Sequence, residues 1–169
     1  MPAVDLLRQF DHADRRPPQG TFEVKEHTLA GTRRATLVVP ADSRITWTVF
    51  VPHRAHLEAH VAFPSDASGA VAVRVGVSDN RIYNTISETT VATTDGGGKQ
   101  WIPISADLSL YAGRKWSLFY RPDETKWRII LATHVLSGAI PSVYLGSLAL
   151  VTDTAGAREY LRRLQEGRP

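Results

Sequence analysis

Hydrophobic and polar residues alternate one by one along much of this chain. Over residues 41–61, ADSRITWTVFVPHRAHLEAHV, Ile45, Trp47, Val49 and Val51 fall on one side, and Thr46, Thr48 and Phe50 on the other. Beyond a proline turn, Leu57, Ala59, Val61 and Phe63 alternate with His56, Glu58 and His60. A period of two sends successive side chains to opposite faces, so each run predicts a strand with one buried face.

The same pattern continues down the chain. Val71, Val73, Val75 and Val77 alternate with Ala72, Arg74 and Gly76. Asp79 and Asn80 tolerate positive φ and predict a hairpin turn into a partner strand over 82–86. Residues 101–108, WIPISADL, read as a further strand, and Trp116, Leu118 and Tyr120 alternate with Lys115, Ser117 and Phe119. Segments 22–24, 36–39, 127–135 and 142–151 are strand-like as well. The predicted core includes Trp47, Val49, Leu57, Val61, Val73, Val75, Ile104, Leu118 and Leu148.

The ends read differently. Residues 4–10, VDLLRQF, place Leu6, Leu7 and Phe10 on one helical face, and the prolines of DRRPPQG stop the helix. Residues 155–165 predict a second helix with Tyr160, Leu161 and Leu164 as its apolar stripe. The expected division is a helical lead-in and linker over 1–20, a sandwich domain over 21–153, and a C-terminal helix or linker over 154–169. Many short strands without long helices between them predict an all-β fold: a jelly-roll β-sandwich of two antiparallel sheets with short terminal helices.

Composition narrows the function classes. A chain of 169 residues with 43% hydrophobic and 22% charged content forms one folded domain with a real core. No apolar run reaches the length of a membrane helix, and acids interrupt the first residues where a signal peptide would be apolar. Direct membrane insertion is therefore not expected. The chain has no cysteine, which excludes disulfides, thiolate metal sites and cysteine nucleophiles. Net charge is +3, but the basic residues are scattered among acids and predict a solvated surface rather than a nucleic-acid interface. The glycines of TTDGGGK have no helix after them and lack the spaced glycine-lysine-serine element of a phosphate loop, so they read as a plain loop.

Two segments together resemble a known group. PADSRITWTVFVPHRAHLEAHVAF is a strand pair joined through Val-Pro, and KQWIPISADLSLYAGRKWSLFY runs a tryptophan strand through DLSLYAGR into the next strand. The pairing resembles accessory jelly-roll domains of the galactose-binding-like and carbohydrate-binding-module-like kind. Bacteria append these to secreted sulfatase-like enzymes and to membrane proteins of envelope glycan metabolism. The resemblance spans residues 4–151 and implies a sandwich fold, a glycan or glycoconjugate ligand and an extracytoplasmic location. It also implies no cofactor, with structural calcium as the one ion such folds often carry. The closing segment IPSVYLGSLALV departs from the group in lacking an acid.

Candidate chemistry is sparse. His56, Glu58 and His60 share one strand face, with His53 close in sequence, and His-x-His with Glu58 has the donors for zinc or nickel. No second cluster with metal spacing joins them, so they read as a solvent face, and no metal is expected. Tryptophans stack on the apolar faces of sugars. Trp47 and Trp116 are in register with core residues, and Trp101 opens a strand. Trp127 follows a polar loop, while Arg81, Tyr83 and Asn84 lie just past the hairpin turn. Arg81, Tyr83, Asn84 and Trp127 are therefore the loop-end ligand candidates, with an outward sheet face as the other place for a site. Asp107 reads as the acceptor of an Asx turn. No Gly-x-Ser-x-Gly elbow exists, and the carboxylates lie mostly in turns, so no catalytic residue is assigned.

The function expected from these features is a non-catalytic module that binds glycans. A structural domain that docks a parent or neighbouring envelope protein is the alternative. A metal-dependent protein built on His56 and His60 is the third reading.

Overall fold

The structure, a computed structural model, describes residues 2–51, 54–79, 83–95, 99–111 and 127–152, together with Arg162. Among these residues the chain forms strands β1 (Pro2–Asp5), β2 (Asp14–Arg16), β3 (Glu23–Leu29), β4 (Thr32–Pro40) and β5 (Ser43–Val49). It continues with β6 (His56–Ala62), β7 (Ser68–Ser78), β8 (Tyr83–Ala92), β9 (Ile102–Asp107), β10 (Trp127–Ala139) and β11 (Ser142–Val151). One sheet has the order β3-β4-β11-β6-β9, with β1 paired on β11, and the other the order β2-β5-β10-β7-β8. Neighbouring strands are antiparallel throughout. From β4 onward the chain passes between the sheets at almost every turn, so each strand lends one face to a shared interior. The fold is the β-sandwich predicted from the alternation.

The interior is built from the predicted faces. Ile45, Trp47 and Val49 of β5 meet Leu57, Ala59 and Val61 of β6, and Val71, Val73, Val75 and Val77 of β7 complete the layer. Ile104 and Leu148 are also buried. Leu118 and the 116–120 strand lie outside the described residues, as do Tyr160, Leu161 and Leu164 of the predicted C-terminal helix. Valine dominates β7 because a β-branched side chain fits a pleated surface with little loss of rotamer freedom.

Trp47 is 1% exposed, and its indole Nε1–H donates to the Leu6 carbonyl oxygen at 3.1 Å. This bond satisfies the one polar atom of the largest core side chain. It also shows why the first residues differ from expectation. Residues 4–10 were predicted as a helix and 14–20 as a linker. Instead, β1 pairs with β11, Phe10–His12 form a single 3-10 turn, and β2 pairs with β5. Val4, Leu6 and Phe10 are buried in the common core. A strand of four residues is too short to show its period, and sheet pairing overrides a weak helical pattern.

Other polar groups of the interior are paired as well. Ser43 Oγ and Thr133 Oγ1 lie 2.9 Å apart between β5 and β10, and Thr133 Oγ1 donates to the Pro40 carbonyl at 3.3 Å. Asp107 forms its Asx turn, accepting the Ser109 backbone N–H at 2.9 Å. Hydrogen bonds from the Ser109 backbone and side chain hold the Asp107 carboxyl below its usual range. Gly69 and Gly138 face each other across β7 and β10 at φ +133° and +77°. A Cβ on either would sit 2.0 Å from a backbone oxygen, so this crossing admits glycine alone.

Truncating Trp47→Ala should lower stability by about 3–5 kcal/mol in urea unfolding, as loss of a fully buried aromatic does. Trp47→Phe should lose about 1–2 kcal/mol, because it strands the Leu6 carbonyl without its donor. A loss below about 1 kcal/mol for Trp47→Ala would contradict the packing described.

Candidate functional site

Alternation gives each sheet an outward face as well as a buried one. On the five-stranded sheet the outward residues fall into rows set by the register. Tyr83, Ser78, Arg128 and Thr48 are Cα partners across β8, β7, β10 and β5. The next row is Thr85, Gly76, Ile130, Thr46 and Asp14, and the next is Glu88, Arg74, Ala132, Arg44 and Arg16. Gly76, Ser78, Ala132, Thr46 and Thr48 interrupt these rows with short side chains. The surface is therefore recessed there, and long side chains rise around it.

The recess is a groove of about 430 Å³ lined by Arg44, Thr46, Thr48, Ser78, Arg128 and Ile130, with His12 and Asp14 closing one side. Its size lies within the range of small-ligand clefts, roughly 300–1,000 Å³. Ile130 forms an apolar floor at 8% exposure, although it points away from the core. Tyr83 flanks the opposite side. It is 48% exposed, and a Cβ on Gly76 would lie 2.5 Å from its hydroxyl oxygen and 2.8 Å from Cε2. The phenol thus lies across the bare backbone of Gly76, which glycine alone leaves open. The groove offers hydroxyls, two guanidiniums and a carboxylate, and the Tyr83 ring lies beside it over Gly76.

The structure separates the loop-end candidates. Asn84 follows Tyr83 and so points to the opposite face, where its Nδ2 donates to Tyr111 Oη at 3.0 Å. Tyr111 meets Trp127 edge to face at a centroid distance of 5.0 Å. Trp127 is half-buried, paired with Val49 and packed against the core. Asn84, Tyr111 and Trp127 therefore cap one end of the interior, while Tyr83 stands outside. Arg81 lies outside the described residues.

The other outward face carries the remaining candidates. His56 and Glu58 pair at 2.7 Å. His60 lines a depression of about 360 Å³ with Arg34, Glu58 and Ser147. Burial and then the Arg34 guanidinium hold the His60 imidazole below its usual range, against the upward pull of a hydrogen bond to the Gly146 backbone and of Glu58. His53 lies outside the described residues, and among those described no three histidine or acidic side chains cluster to hold a metal. Trp101 packs over Gly146, donates its indole N–H to the Thr32 carbonyl at 3.1 Å and meets His27 edge-on at 5.8 Å. Tyr144 meets the same His27 at 4.8 Å, and burial and then Lys25 lower the His27 pKa. Arg34 Nη1 is bound to Ser147 Oγ at 3.1 Å, while Arg34 Nε and His60 Nδ1 are buried and unpaired. The rings and cations of this face are thus largely engaged with one another, and the two unpaired atoms are closed to a ligand.

The sequence reading allowed an outward sheet face for the site but named none of the groove's residues as ligand candidates. Those residues come from distant segments, and no local motif marks them. One signal was present: Arg44, Thr46 and Thr48 alternate with Ile45, Trp47 and Val49, which places all three on the face opposite the core.

No family model matches the chain, and no curated protein matches it. Solved structures do share its fold. A CBM22 module joined to a GH10 xylanase of Clostridium thermocellum, complexed with xylohexaose, superposes with TM-score 0.52 at 14% identity, covering 86% of this chain and 27% of that one. The CBM51-2 and INT domains of Clostridium perfringens ZmpB, in complex with GlcNAc, give 0.53 at 10% identity, covering 81% and 29%. The cleaved adhesin domain of Lys-gingipain from Porphyromonas gingivalis gives 0.54 at 14% identity, covering 83% and 90%. The chain thus spans less than a third of the first two proteins. At these identities the likeness establishes the architecture: a β-sandwich of the class used by carbohydrate-binding modules and adhesin domains.

The two lowered histidines give a pH prediction. A histidine whose folded pKa lies below its unfolded value, near 6.5, adds nothing to stability above that pH. As pH falls through it, the unfolded state takes up protons first, and stability declines. Urea midpoints should therefore drop as pH falls below about 6.5. His60→Gln should flatten that drop, and an unchanged slope would remove His60 from the account.

Proposed function

We propose that this domain is a non-catalytic module that binds glycans or glycoconjugates in the groove of its five-stranded sheet. The observation that carries the reading is the joining of the exposed Tyr83 ring, laid over Gly76, to a groove lined by Thr46, Thr48, Ser78, Arg44 and Arg128. A sugar ring presents an apolar face and a rim of hydroxyls. The first stacks on an aromatic side chain, and the second needs both donors and acceptors. Threonine and serine hydroxyls serve in either sense, and the guanidiniums add planar donor pairs. The fold shared with carbohydrate-binding modules supports the reading. Trp127 enters it as the buttress of the sheet end, together with Asn84 and Tyr111, rather than as a stacking platform.

Affinity should be weak, about micromolar to millimolar, because an open groove buries little area and must order mobile hydroxyls. Calorimetric titration with a panel of neutral and acidic oligosaccharides should detect it. Tyr83→Ala should reduce binding to below detection with an unchanged melting temperature. Gly76→Ala should weaken binding by displacing the phenol, at little loss of stability, since the far end of Tyr83 moves freely. Trp127→Ala should lower the melting temperature, because it opens the end of the core. Absence of any saccharide binding up to millimolar concentration would replace this reading with that of a protein-docking domain.

A further inference from the structure

We propose that the groove selects acidic saccharides, those bearing carboxylate or sulfate groups, over neutral ones. This inference rests on the glycan-binding reading and adds the class of ligand to it.

The argument starts from charge placement. Arg16 and Arg44 are direct Cα partners between β2 and β5, with both side chains outward and exposed. Like charges directly opposite on a sheet repel and destabilise the pair. Arg74, in the same row, is neutralised by Glu88 at 3.5 Å. Arg44 and Arg128, which line the groove, make no salt bridge among the described residues. Asp14 is the single acid of the lining. The groove and its rim therefore hold an uncompensated positive charge that the scattered composition hides. The opposite sheet face engages its basic groups instead, with Arg34 bound to Ser147 Oγ at 3.1 Å, Lys25 over the Tyr144 ring at 5.2 Å and His56 against Glu58 at 2.7 Å.

Geometry extends this to a chain of sugars. Arg44 is level with Ala132, four residues along β10 from Arg128. The two guanidiniums thus arise roughly 13 Å apart along the strand direction. Between them the floor is Thr46 and Ile130, both neutral, with Thr48 level with Arg128. A single small anion reaches one arginine. An oligosaccharide lying along the strands meets both and passes Tyr83 on the β8 side. Guanidinium binds carboxylate and sulfate oxygens through paired N–H donors, and each such bond is stronger than one between neutral groups.

The test titrates the purified domain with oligogalacturonate, a sulfated chondroitin fragment, xylo-oligosaccharide and a single-stranded oligonucleotide. At least one acidic saccharide should bind about tenfold tighter than the neutral one, the difference that one charge-assisted contact supplies. The preference should shrink as salt rises to about 0.5 M, because exposed charges are screened. Arg44→Gln with Arg128→Gln should abolish the preference, bringing acidic and neutral saccharides to the same affinity, with the melting temperature unchanged. The carboxylated and sulfated arms identify which anion is taken. Equal binding of neutral and acidic saccharides, or a preference that survives the double variant, would overturn this inference and leave the glycan reading standing. Oligonucleotide binding as tight as that of the acidic saccharides would overturn it as well. Binding of no saccharide at all would remove both.

Discussion

The wedge of Trp47 between the two sheets is the interaction on which the rest depends. Its indole fills the interior at the middle of β5, and its N–H holds the Leu6 carbonyl at 3.1 Å. That bond draws the first residues into the sandwich. Through them β1 reaches β11 in one sheet and β2 reaches β5 in the other. Asp14 and Arg16, on the short β2, stand at the edge of the groove because of this anchorage.

The same strand fixes the groove. Arg44, Thr46 and Thr48 are interleaved with Ile45, Trp47 and Val49. A slip of one residue would expose the core set and bury the arginine and threonines. The register that packs the interior is therefore the register that builds the grooved face, and one cannot drift without the other. Along β7, Val75 and Val77 face inward while Gly76 leaves the floor on which Tyr83 lies.

These interleavings explain what the sequence made legible. Long alternating runs were readable because each buried position has an apolar residue two places on. β6 was predicted to within one residue, and β11 at the observed bounds. The N-terminal strands were not, since Leu6, Leu7 and Phe10 also fit a helical face and four residues show no period. The extension of β8 through Ser87–Ala92 was missed as well, because an edge strand alternates partly exposed residues with one another. For the site, the sequence offered single aromatic residues near turns. In the structure Asn84 and Trp127 both contact Tyr111, while Tyr83 lies on the other face of the sheet. A site made of one row across several strands has no local signature. It becomes visible when pairing sets distant residues side by side.

The two outward faces then divide by how their charges are used. On the six-stranded sheet, Trp101, His27 and Tyr144 lean on each other, and Arg34 is tied to Ser147. Such a surface has already spent its recognition groups on itself. A ligand there would have to break protein contacts before making its own, which lowers the net gain of binding. On the five-stranded sheet, Arg16 and Arg44 repel, Arg128 is unpaired among the described residues, and Tyr83 rests over bare backbone. Groups held without partners next to a recessed floor contribute most of their interaction to whatever enters. That asymmetry between two faces of one sandwich favours the groove of β5, β7 and β10 as the place where this fold meets its ligand.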